Sequence, residues 1–251
     1  MGFVSHKWLA TLIVVFVACN RQPVPAARPT AHEPKVRATV VTIRTTIQPA
    51  NKTYVHTLVI ANDRVRSSDE VDEWRLFDFK EKSVTFVYDL AKTYRSVPFA
   101  KIVASHRAAL ARPLPDGMPH AQFVTSGAQK TLQGVAAKQS MIRIGSYQRE
   151  LWIAEHPLIP ADLFAIMQAS GAVSSPLAGA MRQADEGLLN VKGFPLADHA
   201  ELPYEKTKLV VDNTVVRIEQ RDIPAGWLNV SGTYKEVRPA AEDTKPPQRP
   251  K

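Results

Sequence analysis

The densest set of proton-transfer groups in this chain is Glu150, Glu155, His156 and Asp162. Carboxylates beside an imidazole can divide general acid and general base work in a hydrolysis, because histidine titrates near neutral pH. Glu155-His156-Pro157 closes an apolar stretch just ahead of a helical pattern, a place where active sites do occur. The same residues also fit a strand-end turn, with Asp162 in the first turn of a helix where its charge favours the macrodipole. The turn is the simpler account, so no catalytic residue is assigned and the chain is expected not to be an enzyme, with a hydrolase kept as the remote alternative. Asp78 and Asp89 follow aromatic residues at strand ends and read as turn residues. His106 falls on an apolar helical stripe and reads as a satisfied core or rim histidine.

Other chemistries lack their residues. The seven histidines include no pair at metal-ligand spacing, and Cys19 is the sole cysteine, so no structural zinc and no other metal is expected. Ser140 and Ser146 lack the Gly-x-Ser-x-Gly frame of a nucleophile elbow. There is no glycine-rich phosphate loop among only 11 glycines, and no cofactor is expected.

Cys19 carries chemistry of another kind. A basic opening through Lys7 leads into an apolar run from Trp8 to Ala18, about half the ~20 residues a membrane span needs. Such a run is a secretory signal. Phe16-Val17-Ala18-Cys19 resembles the lipobox of bacterial lipoproteins, which usually has Leu where Phe16 stands. The resemblance implies a signal peptide at 1–18 and a lipid on Cys19 that anchors the protein in a membrane. Asn20 after the cysteine resembles the pattern of lipoproteins sent to the outer membrane, so the expected place is the cell envelope, at the outer membrane facing the periplasm. A cut after Ala26 would instead release a soluble periplasmic protein. Residues 19–35 are proline-rich and aperiodic, as a tether is, and 239–251 read as a disordered tail.

The folded portion is expected over 36–238. With 45% hydrophobic and 22% charged residues it can build a core without disulfides. The formal charge of +8 is scattered among acidic residues, so it speaks for solubility, and no nucleic-acid partner is expected.

The elements that would position any site are mostly strands. Arg37–Ile47, Thr53–Ala61, Arg64–Ser67, Glu73–Phe79, Ser83–Asp89 and Thr93–Val97 are short, Val/Thr/aromatic-rich and spaced about ten residues apart, as in an antiparallel meander. Pro98–Ala111 is a helix with Phe99, Ile102, Val103, His106 and Leu110 on one stripe. Residues 112–119 form a loop or a boundary between halves. Further strands are expected at Phe123–Thr125, Lys130–Leu132, Ala136–Ile144 and Arg149–Ala154, then helices at Ala161–Ser170 and Pro176–Asn190. A last hairpin pairs Lys206–Val211 with Val215–Gln220 around Asp212-Asn213, a dipeptide that suits a tight turn.

Leu58-Val59-Ile60, Phe86-Val87-Tyr88 and Leu151-Trp152-Ile153 are apolar at consecutive positions. Neighbouring strand residues point to opposite faces, so both faces of the sheet must be shielded. The fold class is mainly β (α+β), a curved antiparallel half-barrel sheet with helices packed against one face. The other face lines an apolar concavity, or else meets a loop or another sheet. Trp74, Phe77, Phe86, Tyr88, Trp152 and Phe164 are the candidates to wall such a cavity, and they serve equally as core.

The succession Val59–Arg66, Trp74–Phe79, Val84–Asp89 and Lys92–Tyr94, with Tyr147–Ala154 and Pro160–Phe164, resembles the LolA/LolB-type half-barrels and related bacterial envelope proteins of unknown function over most of residues 37–222. The resemblance implies an incomplete barrel capped by helices, an envelope location and an apolar ligand such as a lipid, an acyl chain or a lipoprotein. The alternative is a structural or assembly module that docks an envelope protein partner through a sheet edge or the concave face.

Overall fold

The computed structural model describes residues 33–68, 72–111, 119–171, 178–204 and 207–237, with backbone alone for 178–183 and 204. The expected signal peptide, lipidated Cys19 and C-terminal tail lie outside the described residues, as does nearly all of the proline-rich tether. Among the described residues no helix is long and apolar enough to cross a membrane.

The first run of strands is β1 (Lys35–Gln48), β2 (Lys52–Ala61), β3 (Arg64–Ser68), β4 (Glu73–Asp78), β5 (Ser83–Tyr88) and β6 (Thr93–Pro98), a meander as the spacing predicts. Helix α1 (Phe99–Leu110) follows, then β7 (Gln122–Leu132), β8 (Val135–Ile144), β9 (Tyr147–Ala154), α2 (Leu163–Gly171) and α3 (Ala178–Leu189). The chain closes with β10 (Phe194–Tyr204), β11 (Thr207–Pro224), a 3-10 turn at Ala225–Leu228 and the short β12 (Lys235–Glu236). All the strands join one open sheet in the order β12-β6-β5-β4-β3-β2-β1-β11-β10-β9-β8-β7. Among the described residues only the β12–β6 pair is parallel. The fold is therefore mainly β, a single non-closed antiparallel sheet with helices on one face, as the sequence predicts.

Local chemistry sets the turns. Asn62 and Asp63, with φ of 51° and 60°, join β2 to β3, and these are the side chains that tolerate the left-handed region a two-residue hairpin demands. Gly193 enters β10 at φ 110°, and a Cβ there would stand 2.5 Å from the Ala154 carbonyl oxygen. That close approach of backbones needs glycine.

The strands show the two-sided apolar pattern predicted for them. One face, here called inner, carries Val41, Leu58, Val65, Phe77, Val84, Ile142 and Leu151 against Ile102 of α1, Leu163 and Phe164 of α2, and Leu188 of α3. The outer face carries Ala38, Val40, Val59, Trp74, Leu76 and Val87, and these meet Leu228, Trp227, Val230 and Tyr234 of the C-terminal segment. Thus the second face over β1–β5 meets a loop, not an apolar concavity.

Two expectations are corrected. Asp212-Asn213 is not a turn: β11 runs unbroken from Thr207 to Pro224 and pairs with β10 on one side and β1 on the other. Both side chains find cross-strand partners, Asp212 with His199 Nδ1 at 2.6 Å and Asn213 with Thr45 and Asp198, so sheet contacts outweigh turn propensity. The strand β10 itself is unexpected because Pro195 and Pro203 lie within it. Pro195 falls at a register shift against β9, where a missing donor is tolerated. The segments expected at Phe123–Thr125 and Lys130–Leu132 are one strand, β7, with an irregularity between Thr125 and Gln129.

Candidate functional site

The largely apolar inner face is crossed by a row of hydrogen-bonded polar side chains. On β9, Arg149 alternates with Leu151 and Ile153, so the sheet turns its guanidinium toward the helices. Arg149 Nε and Nη2 each donate to Asp198 of β10 at 2.9 Å, a bidentate pair whose side chains are 15% and 9% exposed. Asn213 Nδ2 donates to the same carboxylate at 3.2 Å, and Thr45 Oγ1 donates to Asn213 Oδ1 at 2.6 Å. Four adjacent strands, β9, β10, β11 and β1, thus share a hydrogen-bonded row. The Asp198 carboxylate holds the Arg149 guanidinium charged against the desolvation of its burial.

Above this row the helices bring two more titratable groups. His106 of α1 is 1% exposed, and among the described residues neither ring nitrogen has a hydrogen-bond partner. Its Nε2 lies 3.8 Å from Asp185 Oδ2 of α3, beyond hydrogen-bond length. Expected as a satisfied histidine, His106 is buried but not hydrogen-bonded. Desolvation pushes the Asp185 carboxyl up to about 6, with Arg149 opposing, and desolvation lowers the His106 imidazole below its usual value. Tyr147, on the same face of β9 as Arg149, has its phenol raised, chiefly by burial.

These shifts fix a pH signature. A carboxyl raised in the fold stabilises it below the unfolded value near 4 and loses that contribution as pH rises through about 6. A lowered histidine acts oppositely: its contribution is full above about 6.5 and lost as pH falls through the depressed folded value. Asp185→Asn removes only the first effect. Relative to the Asp185→Asn variant, wild type is expected to lose on the order of 2–3 kcal/mol between pH 4 and pH 7. Urea unfolding of both across that range checks it, and parallel stability curves would refute the assignment.

The six aromatic candidates do not wall one cavity. Phe77 is fully buried on the inner face, and Phe164 packs there edge-on against Phe194 with centroids 6.3 Å apart. Phe86 and Tyr88 share that face toward the β6 side. Trp74 is on the outer face, its Nε1 donating to Asp89 at 3.2 Å and its ring 4.0 Å from the Arg66 guanidinium carbon. Trp152 lies on the side of β9 opposite Leu151, donates to Glu150 and sits 3.9 Å from Lys130 Nζ. The inner face is packed, with Phe77, Leu151, Leu163, Leu188, Leu196 and Leu202 all nearly inaccessible. Two recesses, of about 290 and 500 Å³, open instead on the outer face and are lined by polar residues such as Arg64, Asp78 and Lys80, and Arg44, Thr46 and Asp212.

Of the four acid–base residues expected near 150–162, Glu155 is exposed just beyond β9 and the other three engage separate partners. Glu150 accepts from Trp152, His156 Nδ1 accepts from the Leu158 amide at 3.2 Å, and exposed Asp162 pairs with Lys192. Among the described residues no group of three His, Cys, Asp or Glu side chains could hold a metal ion. Asp78 and Asp89 are more than turn residues: Asp78 also accepts from Arg64 Nε at 2.8 Å, and Asp89 also accepts from Tyr234. Sequence inspection missed Arg149, Asp198 and Asp185. The available signal was a charged residue at an inward position of the alternating strand Arg149-Leu151-Ile153.

No protein-family model matches the chain, and no curated protein matches it. Among solved structures, the chain is similar over 80% of its length to PNGF-II in space group C2, at 11% identity and a TM-score of 0.44. The same protein in space group P21 matches over 74% at 11% identity and a TM-score of 0.40. The chain spans 31% and 29% of those two chains, less than a third of their length. The LolA superfamily protein NE2245 from Nitrosomonas europaea matches over 79% of this chain and 91% of its own, at 12% identity and a TM-score of 0.26. Likenesses this distant establish neither family nor activity.

Proposed function

We propose that this protein is a non-enzymatic module of the bacterial cell envelope, anchored through a lipid on Cys19, that binds an apolar ligand of acyl or lipid type on the inner face of its sheet. One observation supports it above others: the sheet is large and never closes, and its apolar inner face is covered by three short helices. An acyl chain that takes the place of part of this helical layer buries its surface against Phe77, Phe86 and Leu151 at about 25 cal/mol per Å². The buried ring nitrogens of His106, which lack a hydrogen bond, and the desolvated Asp185 make α1 and α3 a less favourable cover than an all-apolar one. Native mass spectrometry of the protein purified from membranes, with and without Cys19→Ser, tests it. A lipid-sized adduct retained by the unanchored Cys19→Ser form is expected, and a ligand-free mass in both forms would refute lipid binding.

A second function, docking of another envelope protein, is favoured by the packed inner face and by β7. That strand ends the sheet with an 11-residue edge that no further strand of the described residues pairs. A ligand-free mass accompanied by a stoichiometric protein partner in the same spectra would favour it.

A further inference from the structure

At the β6 side of the inner face, Phe86 sits in the middle of a three-strand row with Arg75 directly opposite on β4 and Arg95 directly opposite on β6. The guanidinium carbons lie 5.7 Å and 4.7 Å from the Phe86 ring centroid. Phe86 itself is 6% exposed and belongs to the inner core. Two cations of like charge thus flank one phenyl ring, on the strands either side of β5. Arg75 has protein partners: Glu73 Oε1 lies 3.6 Å from its Nε, and Ser170 Oγ lies 3.5 Å from its Nη1. Arg95 is exposed and, among the described residues, its side chain makes no ion pair or hydrogen bond besides its ring contact. A guanidinium held by an aromatic face in this way keeps its N–H fork free, and that fork matches a phosphate or carboxylate in bidentate geometry.

We propose that Arg95, with the charge of Arg75 across the ring in support, receives the anionic headgroup, phosphate or carboxylate, of an amphiphile whose apolar chain enters the inner face beside Phe86. This rests on the apolar-ligand function above and adds to it a charge preference and an orientation, head at Arg95 of β6 and tail toward Phe77 and Val84. The ring that anchors the cations is itself the first apolar surface the chain would meet.

The test titrates the full chain, below micelle formation, with lysophosphatidylglycerol, with a monoacylglycerol of the same chain length, and with inorganic phosphate. The anionic lipid is expected to bind at least about tenfold tighter than the uncharged one, the effect of one charge-assisted contact. Arg95→Gln is expected to erase most of that preference and leave monoacylglycerol affinity unchanged, while Arg95→Lys retains part of it. Arg95 is exposed, so these variants leave the core intact, and matching unfolding midpoints verify this. Equal affinity for the two lipids, or a preference that survives Arg95→Gln, overturns the headgroup site and leaves the apolar-ligand function standing. Binding of neither lipid overturns both. Inorganic phosphate that binds as tightly as the anionic lipid overturns the lipid assignment in favour of a free-anion site.

Discussion

Replacing Arg149 with Met is expected to destabilise the protein by about 3–5 kcal/mol, the cost of leaving one member of a buried ion pair without the other. Arg149 occupies an inward position of β9 between Tyr147 and Leu151, so its charge cannot leave for solvent without turning the strand over. Its two hydrogen bonds satisfy both carboxylate oxygens of Asp198. Without them the carboxylate keeps, among the described residues, only the Asn213 amide, at 3.2 Å. Arg149→Lys should recover part of the loss, since an ammonium restores charge but not the fork. The double variant Arg149→Met/Asp198→Leu should be less destabilised than Arg149→Met alone, because it removes the orphaned charge as well as its partner. Urea midpoints for the three variants measure this. A loss below about 1 kcal/mol for Arg149→Met, or simple additivity in the double variant, would refute a coupled buried pair.

The same row explains what the sequence could and could not disclose. Consecutive apolar residues such as Leu58-Val59 and Phe86-Val87 announced a sheet covered on both sides, and the structure places each pair on opposite faces. The meander β1–β6 and helix α1 were legible because their signals are local: alternation, turn residues and a helical stripe. Partners far apart in sequence were not. Arg149 and Asp198 lie 49 positions apart, and nothing in either segment names the other. Asp212-Asn213 misled for the same reason, since its local preference for a turn yields to His199, Asp198 and Thr45 across the sheet. β10 was hidden by its prolines. The inner aromatics were legible as apolar, but which face each strand presents depends on register, so Trp74 could not be told from Phe77. The cover of the outer face was the least legible element, because Pro224-Ala-Gly-Trp-Leu has the composition of a loop.

Ending the chain at Pro224 is expected to cost about 5 kcal/mol or more and to expose an apolar patch. The segment beyond Pro224 covers the outer face at both backbone and side-chain level. Leu228 is 4% exposed and packs with Trp227, Val230 and Tyr234 against Val40, Val59, Trp74 and Leu76. Burial of one large apolar side chain contributes about 1.5–3 kcal/mol, so two or three account for the expected loss. Polar contacts fix the path. Arg66 Nη1 donates to the Trp227 carbonyl at 3.1 Å, and Arg64 Nη1 donates to Asn229 Oδ1 at 2.7 Å. The amides of Lys235 and Val237 donate to the carbonyls of Lys92 and Tyr94 at 3.0 and 2.7 Å, which attaches β12 to the edge of β6. Loss of the segment returns Trp74 and its stacked Arg66 to water and leaves β6 an open edge, a template for aggregation. A chain ending at Val237 is the control and should match the full protein. Leu228→Ala, which keeps the path but removes its buried anchor, should cost about 2–4 kcal/mol. Unfolding midpoints, together with binding of an apolar-surface dye, decide the matter. A chain ending at Pro224 that stays within about 1 kcal/mol of the control and binds no dye would show that the C-terminal segment is not part of the folded unit.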